Sequence, residues 1–326
     1  QIDPLNPDIA AHLGGHYVNL GEAERGMKLF DKVLERYPDY KGVKLRKARA
    51  FAGIGVGEIG KSFISTYQLY KSDPENVDLI VSLHDLAESL GFETFQEYMI
   101  IKMGELYPNN QQYYFMYANY YSEHGKIDEV LEFVDTQRGI FSDNFNKEID
   151  TFKSRLIYMK GEKEKALQMY IDINPLVLQD EIVFANNDEA LDVAGYLSYV
   201  IGMGLNQDER FKNLTNIYCD YRYEQYEDAE IEAVRKYREW DVAECEFYKG
   251  NVEHFLELIR KQYFEYKITN GFPPYFKYSR NMNTLSGIPE YEKLKGEILA
   301  DINVMKEEAV AHLKSTGDWR EEWEEN

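Results

Sequence analysis

The sequence predicts an all-α chain of stacked helix pairs, about seven of them, followed by one C-terminal helix. Three observations carry that prediction. First, residues 7–40 read at helical spacing as two amphipathic helices. Leu13, Tyr17 and Leu20 fall on one face of the first, and Met27, Phe30, Val33 and Leu34 on one face of the second. Gly21 punctuates between them and Pro38 stops the second. Second, the pattern recurs. Gly21, Gly55, Gly91, Gly125 and Gly161 are spaced 34, 36, 34 and 36 residues apart, and Pro4, Pro38, Pro74 and Pro108 are spaced 34, 36 and 34. Third, one helix pair of this length cannot bury its apolar faces alone, whereas a stack of pairs buries each face against the next.

A period near 34 with two helices per unit is the signature of the tetratricopeptide repeat, and the chain resembles that family. In the first unit Leu13, Gly14, Tyr17, Gly26, Phe30 and Pro38 stand where the family has its Leu, Gly, Tyr, small residue, aromatic and Pro. Leu83, Gly91 and Pro108 match in the third unit, and Tyr114, Tyr117, Ala118, Tyr121 and Gly125 in the fourth. The resemblance runs over roughly 7–174. It implies a right-handed superhelical solenoid with first helices lining a concave groove and second helices forming the outside.

Taken in order, the regular units are expected at about 7–40, 41–74, 77–110, 111–142 and 146–175, making 1–175 the regular array. The second runs two residues long, with Ser72 where Pro is expected and Pro74 beyond it. Residues 176–271 hold two longer, degenerate units, about 188–226 and 235–266, with Gly204 and Gly250 as their turns. Residues 272–326 form a capping helix and an acidic tail. The helix is read over 290–316, with Tyr291, Leu294, Ile298, Ile302 and Met305 on the face set against the seventh unit, and DWREEWEEN is read as frayed. The opening QIDPLNPD lacks an initiator Met and reads as the tail of a preceding helix stopped at Pro4, so the chain is expected to derive from something longer.

Composition narrows the function. The net charge is −21 over 326 residues. That balance argues against nucleic acid, whose phosphates call for clustered Lys and Arg, and against an anionic membrane surface. The longest uncharged run, between Asp192 and Asp208, is 15 residues. A membrane-spanning helix needs about 20, so the run reads as a buried helix. The chain opens with no signal peptide, and the compartment cannot be read. Cys219 and Cys245 fall on neighbouring helices. They read as two buried small hydrophobes in preference to a disulfide. The frequent Tyr, 27 residues, suits large wedge positions between helices.

One stretch matches a catalytic motif. GVGEIGKS places Gly55, Gly60, Lys61 and Ser62 in the phosphate-binding pattern G-x-x-x-x-G-K-[ST]. That chemistry needs a buried strand before the loop, and VKLRKARAFAGI instead carries four cations and continues the helical register. The repeat turn is the preferred reading and nucleotide binding the alternative. His12 and His16, four apart on one helix, have no evident third ligand, so no metal or cofactor is expected. No Ser, Cys or Lys sits in a nucleophile motif, and the chain is expected to be non-catalytic.

The expected function is protein or peptide binding. Family positions that face the groove carry over to Arg46, Arg49, Ser82, Asp85, Phe115, Asn119, Arg155 and Tyr158. The arginines suit an acidic peptide and the aromatics apolar side chains. The family's carboxylate clamp for chaperone tails is not expected, because Ala11 and Gly15 stand where that clamp has Lys and Asn. The segment IPEYEKLKGEILADINVMKEEAVAHLKSTGDW resembles the closing helix of bacterial signalling proteins, in which such repeats follow a cyclase or winged-helix domain. That implies an interaction or sensory region. A structural, self-assembling array is the remaining alternative, and the oligomeric state stays open.

Overall fold

The computed structural model describes residues 6–179, 181–269 and 271–323. The reading of residues 1–5 as a preceding helix tail lies outside the described residues. The described residues are all-helical, with no strand, and form a helical-repeat solenoid of tetratricopeptide-like pairs. The pairs are α1 (Pro7–Asn19) with α2 (Ala23–Arg36), α3 (Lys41–Phe51) with α4 (Ile59–Ser72), α5 (Val77–Ser89) with α6 (Glu93–Leu106), and α7 (Gln111–Glu123) with α8 (Ile127–Gln137). Three more follow: α9 (Asp143–Met159) with α10 (Lys163–Ile173), α11 (Asn187–Gly202) with α12 (Glu209–Glu227), and α13 (Glu232–Tyr248) with α14 (Val252–Phe264). Two short helices, α15 (Phe272–Tyr278) and α16 (Arg280–Asn283), lead into the long α17 (Pro289–Ser315).

The recurrent glycines have a backbone cause. Gly21, Gly91, Gly125, Gly161, Gly204 and Gly250 all have φ between 62° and 95°, a region in which a Cβ is strained. Each sits one residue past a helix C-cap. Around Gly21, the Glu22 N–H donates to Tyr17 O (2.8 Å) and the Gly21 N–H to Val18 O (2.9 Å), and the same bond pair recurs at the other five. This closes the orphan carbonyls of each first helix and reverses the chain. Helix starts are set by asparagines that the periodic reading passed over. The side chains of Asn6, Asn76 and Asn110 accept N–H bonds from the first turns of α1, α5 and α7.

The face that α1 buries differs from the one read in the sequence. Ala10, Ala11, Gly14 and Val18 are buried, while Leu13 and Leu20 are about 40% exposed (42% and 39%). Close helix crossing is the reason. A Cβ on Gly14 would stand 2.5 Å from the Phe30 ring, and one on Gly26 would stand 2.5 Å from Gly14 O. The crossing selects small residues and turns the larger leucines outward. The uncharged run after Asp192 forms part of α11, whose Val193, Tyr196, Leu197, Tyr199 and Val200 are buried. No helix among the described residues is long and apolar enough to cross a membrane.

Helix α17 does not simply extend the stack beyond the seventh pair. Tyr291, Leu294, Ile298 and Ile302 join a core shared with α9–α14. Ala309 and Leu313, further along the same helix, join the core of α4–α9. At 27 residues and about 1.5 Å per residue, the helix is long enough to act as a strut between the two cores. The acidic stretch 318–323 is anchored as well. Trp319 stacks on Phe92 at 5.5 Å, and Trp323, 1% exposed, lies 4.8 Å from Phe95 and 6.0 Å from Tyr67. Lys71 pairs with Asp318 at 2.8 Å, Lys306 donates to Gly91 O at 2.7 Å and Thr94 to Trp323 O at 2.9 Å. Residues 318–323 therefore cross back over the second and third pairs, where the sequence suggested a cap on the seventh and a frayed tail; the rest of that tail, 324–326, lies outside the described residues.

Candidate functional site

The loop 52–58 belongs to this closure. No strand precedes it, since α3 runs into it and α4 leaves it. Its N–H groups at 52, 53 and 55–58 are engaged within the protein. Gly55 donates to Tyr266 O, Val56 and Gly57 to Gly53 O, and Glu58 to Phe51 O. A phosphate cradle needs such groups to converge on a ligand, and here the loop packs on residues 266–269. Gly55 does not supply the turn that closes the other first helices. Gly60 lies inside α4, where a Cβ would stand 2.6 Å from Met305 O, so its smallness serves the approach of α17. Lys61 pairs with exposed Glu58 at 2.8 Å, and the Ser62 hydroxyl is buried without a hydrogen-bond partner. Gly60 and Ser62 are thus taken up by packing, Gly55 by its bond to Tyr266 and Lys61 by an exposed ion pair, and the loop holds no open anion nest.

The groove candidates lie on first helices and link neighbouring pairs. Arg46 on α3 sits 3.3 Å from both ring nitrogens of His12 on α1. Arg49 donates to Ser82 Oγ on α5 at 3.1 Å. Asp85 pairs with His84 Nδ1 at 3.0 Å, and the other ring nitrogen of His84 meets Gln96 Nε2 at 3.2 Å. Arg155 on α9 reaches Asn119 Oδ1 at 3.4 Å and Glu123 Oε1 at 3.3 Å on α7. Phe115 packs edge-on against Phe145 at 5.2 Å, and Tyr158 edge-on against Tyr199 at 5.3 Å. His12 and His16 are both exposed. Among the described residues no group of three or more His, Cys, Asp or Glu is arranged to hold a metal. Cys219 and Cys245 are buried free thiols, and burial, then the neighbouring Cys219, pushes the Cys245 thiol up.

Three of the candidates border cavities in the array. A cavity of about 780 Å³ is lined by Phe115, Arg155, Leu191 and Tyr199, with Asp188 and Asp192 at its edge. A second, of about 800 Å³, is lined by Glu123 on α7, Arg155 and Tyr158 on α9, and Leu191 and Ser198 on α11. Glu244 and Tyr248 on α13 line it too, and the returning segment adds Tyr275, Lys277 and Asn281. The pairs and the fold-back thus meet around one space. Arg46, Arg49, Ser82, Asp85 and Asn119 do not line it.

Sequence reasoning missed Glu123, Glu244, Tyr248, Tyr275 and Asn281. The one signal available was a carboxylate set among apolar residues, as in AECEFY. Burial pushes Glu123 up to about 7 despite the opposing Arg155. It pushes Glu244 up to about 7 as well, with Asp241 adding to the effect. Burial raises Glu88 as well, next to this wall. The phenols of Tyr248 and Tyr275 are held well above their usual range by burial first. Such groups resist charge until an opposite charge arrives.

No family model matches the chain, and no curated protein matches it. Among solved structures 22 chains match. One is from the structure of Naa15/Naa10 bound to HypK-THB, at 13% identity and a TM-score of 0.33. The alignment covers 97% of this chain and 57% of that one, so this chain spans little more than half its length. A likeness that distant carries no argument about function.

Proposed function

We propose that this chain is a non-catalytic helical-repeat scaffold that binds a segment of a protein or a peptide on its inner face. The observation that supports it is the cavity of about 800 Å³ walled by four first helices and the returning α15–α16 region. It combines exposed apolar surface at Leu191 with aromatic rings and charged groups, the mixture that interface cores use. The alternatives draw less support. Nucleotide binding at Gly55, Gly60, Lys61 and Ser62 would require the 52–58 loop to leave its partners. A role as the interaction or sensory region of a larger signalling protein rests only on the likeness of residues 288–319, and is a form of the same reading. Self-assembly would use the same surfaces with a second copy as partner.

The test is selection of peptides from a random displayed library on the immobilised chain, followed by affinity measurement on two variants. Leu191→Arg places a cation on the exposed cavity wall, and Val304→Arg marks the exposed outer side of α17. The reading expects selected peptides to lose binding with Leu191→Arg and keep it with Val304→Arg. Peptides indifferent to the first variant, or none selected at all, would contradict it. Light scattering on the purified chain separates self-assembly, which requires a concentration-dependent mass.

A further inference from the structure

The cavity is not electrically balanced along its length. The cations that line it are engaged: Arg155 by Glu123 and Asn119, Lys277 by Glu93. Lys163 donates to Gly202 O and lies over the Tyr158 ring at 5.3 Å. Glu244, which lines the same space, has no ion pair among the described residues. Its one hydrogen bond comes from the Tyr218 hydroxyl at 3.3 Å. The nearest guanidinium, Arg222 on α12, is directed to Asn187 (2.6 Å) and Asp241 (3.5 Å).

Other acceptors line the same cavity. Asn281 is 7% exposed, and its Oδ1 has no hydrogen-bond partner, while its Nδ2 donates to the Tyr248 hydroxyl at 3.4 Å. A buried unsatisfied carbonyl normally has a partner to receive. Tyr275, whose ring packs edge-on against Trp240 at 4.9 Å, borders the same space. A carboxylate, an orphaned amide oxygen and two phenols make a site rich in acceptors and aromatic faces. That is the chemistry that receives an alkylammonium or a guanidinium.

We propose that the Glu244 end of the cavity is a cation subsite, formed by Glu244, Asn281, Tyr248 and Tyr275, that takes a Lys or Arg side chain of the bound segment. The inference rests on the peptide-binding reading and reverses the sign of the ligand expected from the arginines. Those arginines are engaged with neighbouring helices, and Glu244 is the charge left uncompensated. The groups facing Glu244 are Asp241, Cys245 and Tyr248 on α13, Tyr218 and Arg222 on α12, and Tyr275 on α15. An arriving cation favours the charged carboxylate, so binding releases a proton and strengthens as pH rises through about 7.

The experiment is carboxyl-carbon NMR on the chain labelled at Glu, with the Glu244 signal identified by its absence in Glu244→Gln. The probes are n-butylammonium, n-butylguanidinium, a blocked Gly-Gly-Lys-Gly-Gly peptide, and butyrate as the anionic control. The expected result is that both cations lower the Glu244 titration midpoint while butyrate does not, and that Glu244→Gln loses roughly tenfold in cation affinity. Tyr275→Phe, which keeps the ring and removes one oxygen, weakens the cations by a smaller factor. The peptide binding more tightly than butylammonium assigns the cation to a protein segment, and equal affinity assigns it to free amines. A Glu244 midpoint that no cation moves, or a Glu244→Gln variant that binds cations undiminished, would overturn the subsite. Peptides from the displayed library that need Leu191 but ignore Glu244→Gln would overturn it while leaving the groove reading intact. Butylammonium binding without any peptide binding would do the reverse.

Discussion

Replacing Gly60 by Leu tests the fold-back and the phosphate-loop alternative together. At this point α4 touches the backbone of α17: a Cβ on residue 60 would stand 2.6 Å from Met305 O and 3.3 Å from its carbonyl carbon. The obstacle is main chain, so no rotamer relieves it and α17 must move away. Overpacking costs about 1–3 kcal/mol, and a backbone obstacle places this site near the upper end. Leu is a better helix former than Gly by roughly 0.8 kcal/mol, which leaves a net loss of about 2 kcal/mol. Each kcal/mol shifts Tm by about 2–4 °C in domains of 150–250 residues, so in this chain of 326 residues a fall at the low end of that scale, about 4 °C, is expected by calorimetry. Lys61→Ala is the control. Its pair with Glu58 is exposed on both sides, and such pairs contribute about 0–1 kcal/mol. An unchanged Tm in Gly60→Leu would refute the close approach, as would Lys61→Ala being the more damaging variant.

Three further outcomes follow from the same geometry. Trp323→Ala removes a fully buried ring lying against Phe95 and Tyr67. A loss of about 3–5 kcal/mol is expected, read as faster hydrogen exchange in α4 and α6, and unchanged exchange would count against an anchored tail. Glu123 and Glu244 have folded pKa values of about 7, above the ordinary 4.5. The folded state holds their protons more tightly, so their contribution is full below about 4.5 and is lost as pH rises through about 7. Glu93, Glu246 and Asp318 are shifted downward and titrate below this window. The denaturation midpoint should therefore drop less between pH 5.5 and 8 in Glu244→Gln than in the native chain, and identical slopes would contradict the burial of Glu244. Cys219 and Cys245, both 0% exposed, should ignore a thiol reagent in the folded chain and both react in denaturant. A denatured chain with no reactive thiol would show a disulfide instead.

Local signals made the array legible. A glycine past each first helix is demanded by positive φ, and that demand is written at each turn as a residue type. Turn geometry is local, so the regular spacing located Gly21, Gly91, Gly125 and Gly161, and the residue type alone marked Gly204 and Gly250. The exception is the second pair, where Gly55 bonds to Tyr266, a residue far along the chain. The buried face of α1 was misread because hydrophobicity favours Leu13 and Leu20, whereas the crossing at Gly14 and Gly26 rewards smallness. The destination of α17 was illegible for another reason. An apolar stripe says that a face is buried, not against what, and contacts such as Lys71–Asp318 and Gln68–His312 join distant segments. The candidate site shares that cause. Phe115, Arg155 and Tyr158 could be placed by register, but Asn281 lines one space with Arg155, Tyr158 and Glu244 only because the chain returns.

The most direct test of that return is a distance across it. Spin labels on cysteines replacing Gln68 and His312, whose side chains meet at 3.3 Å, would report it by dipolar broadening, since the native thiols are buried and free. The fold-back predicts strong broadening from a single short separation, abolished by Gly60→Leu or weakened by it. A long or widely spread separation would mean that α17 docks elsewhere, and the cavity built from α13, α15 and the first helices would have to be redrawn.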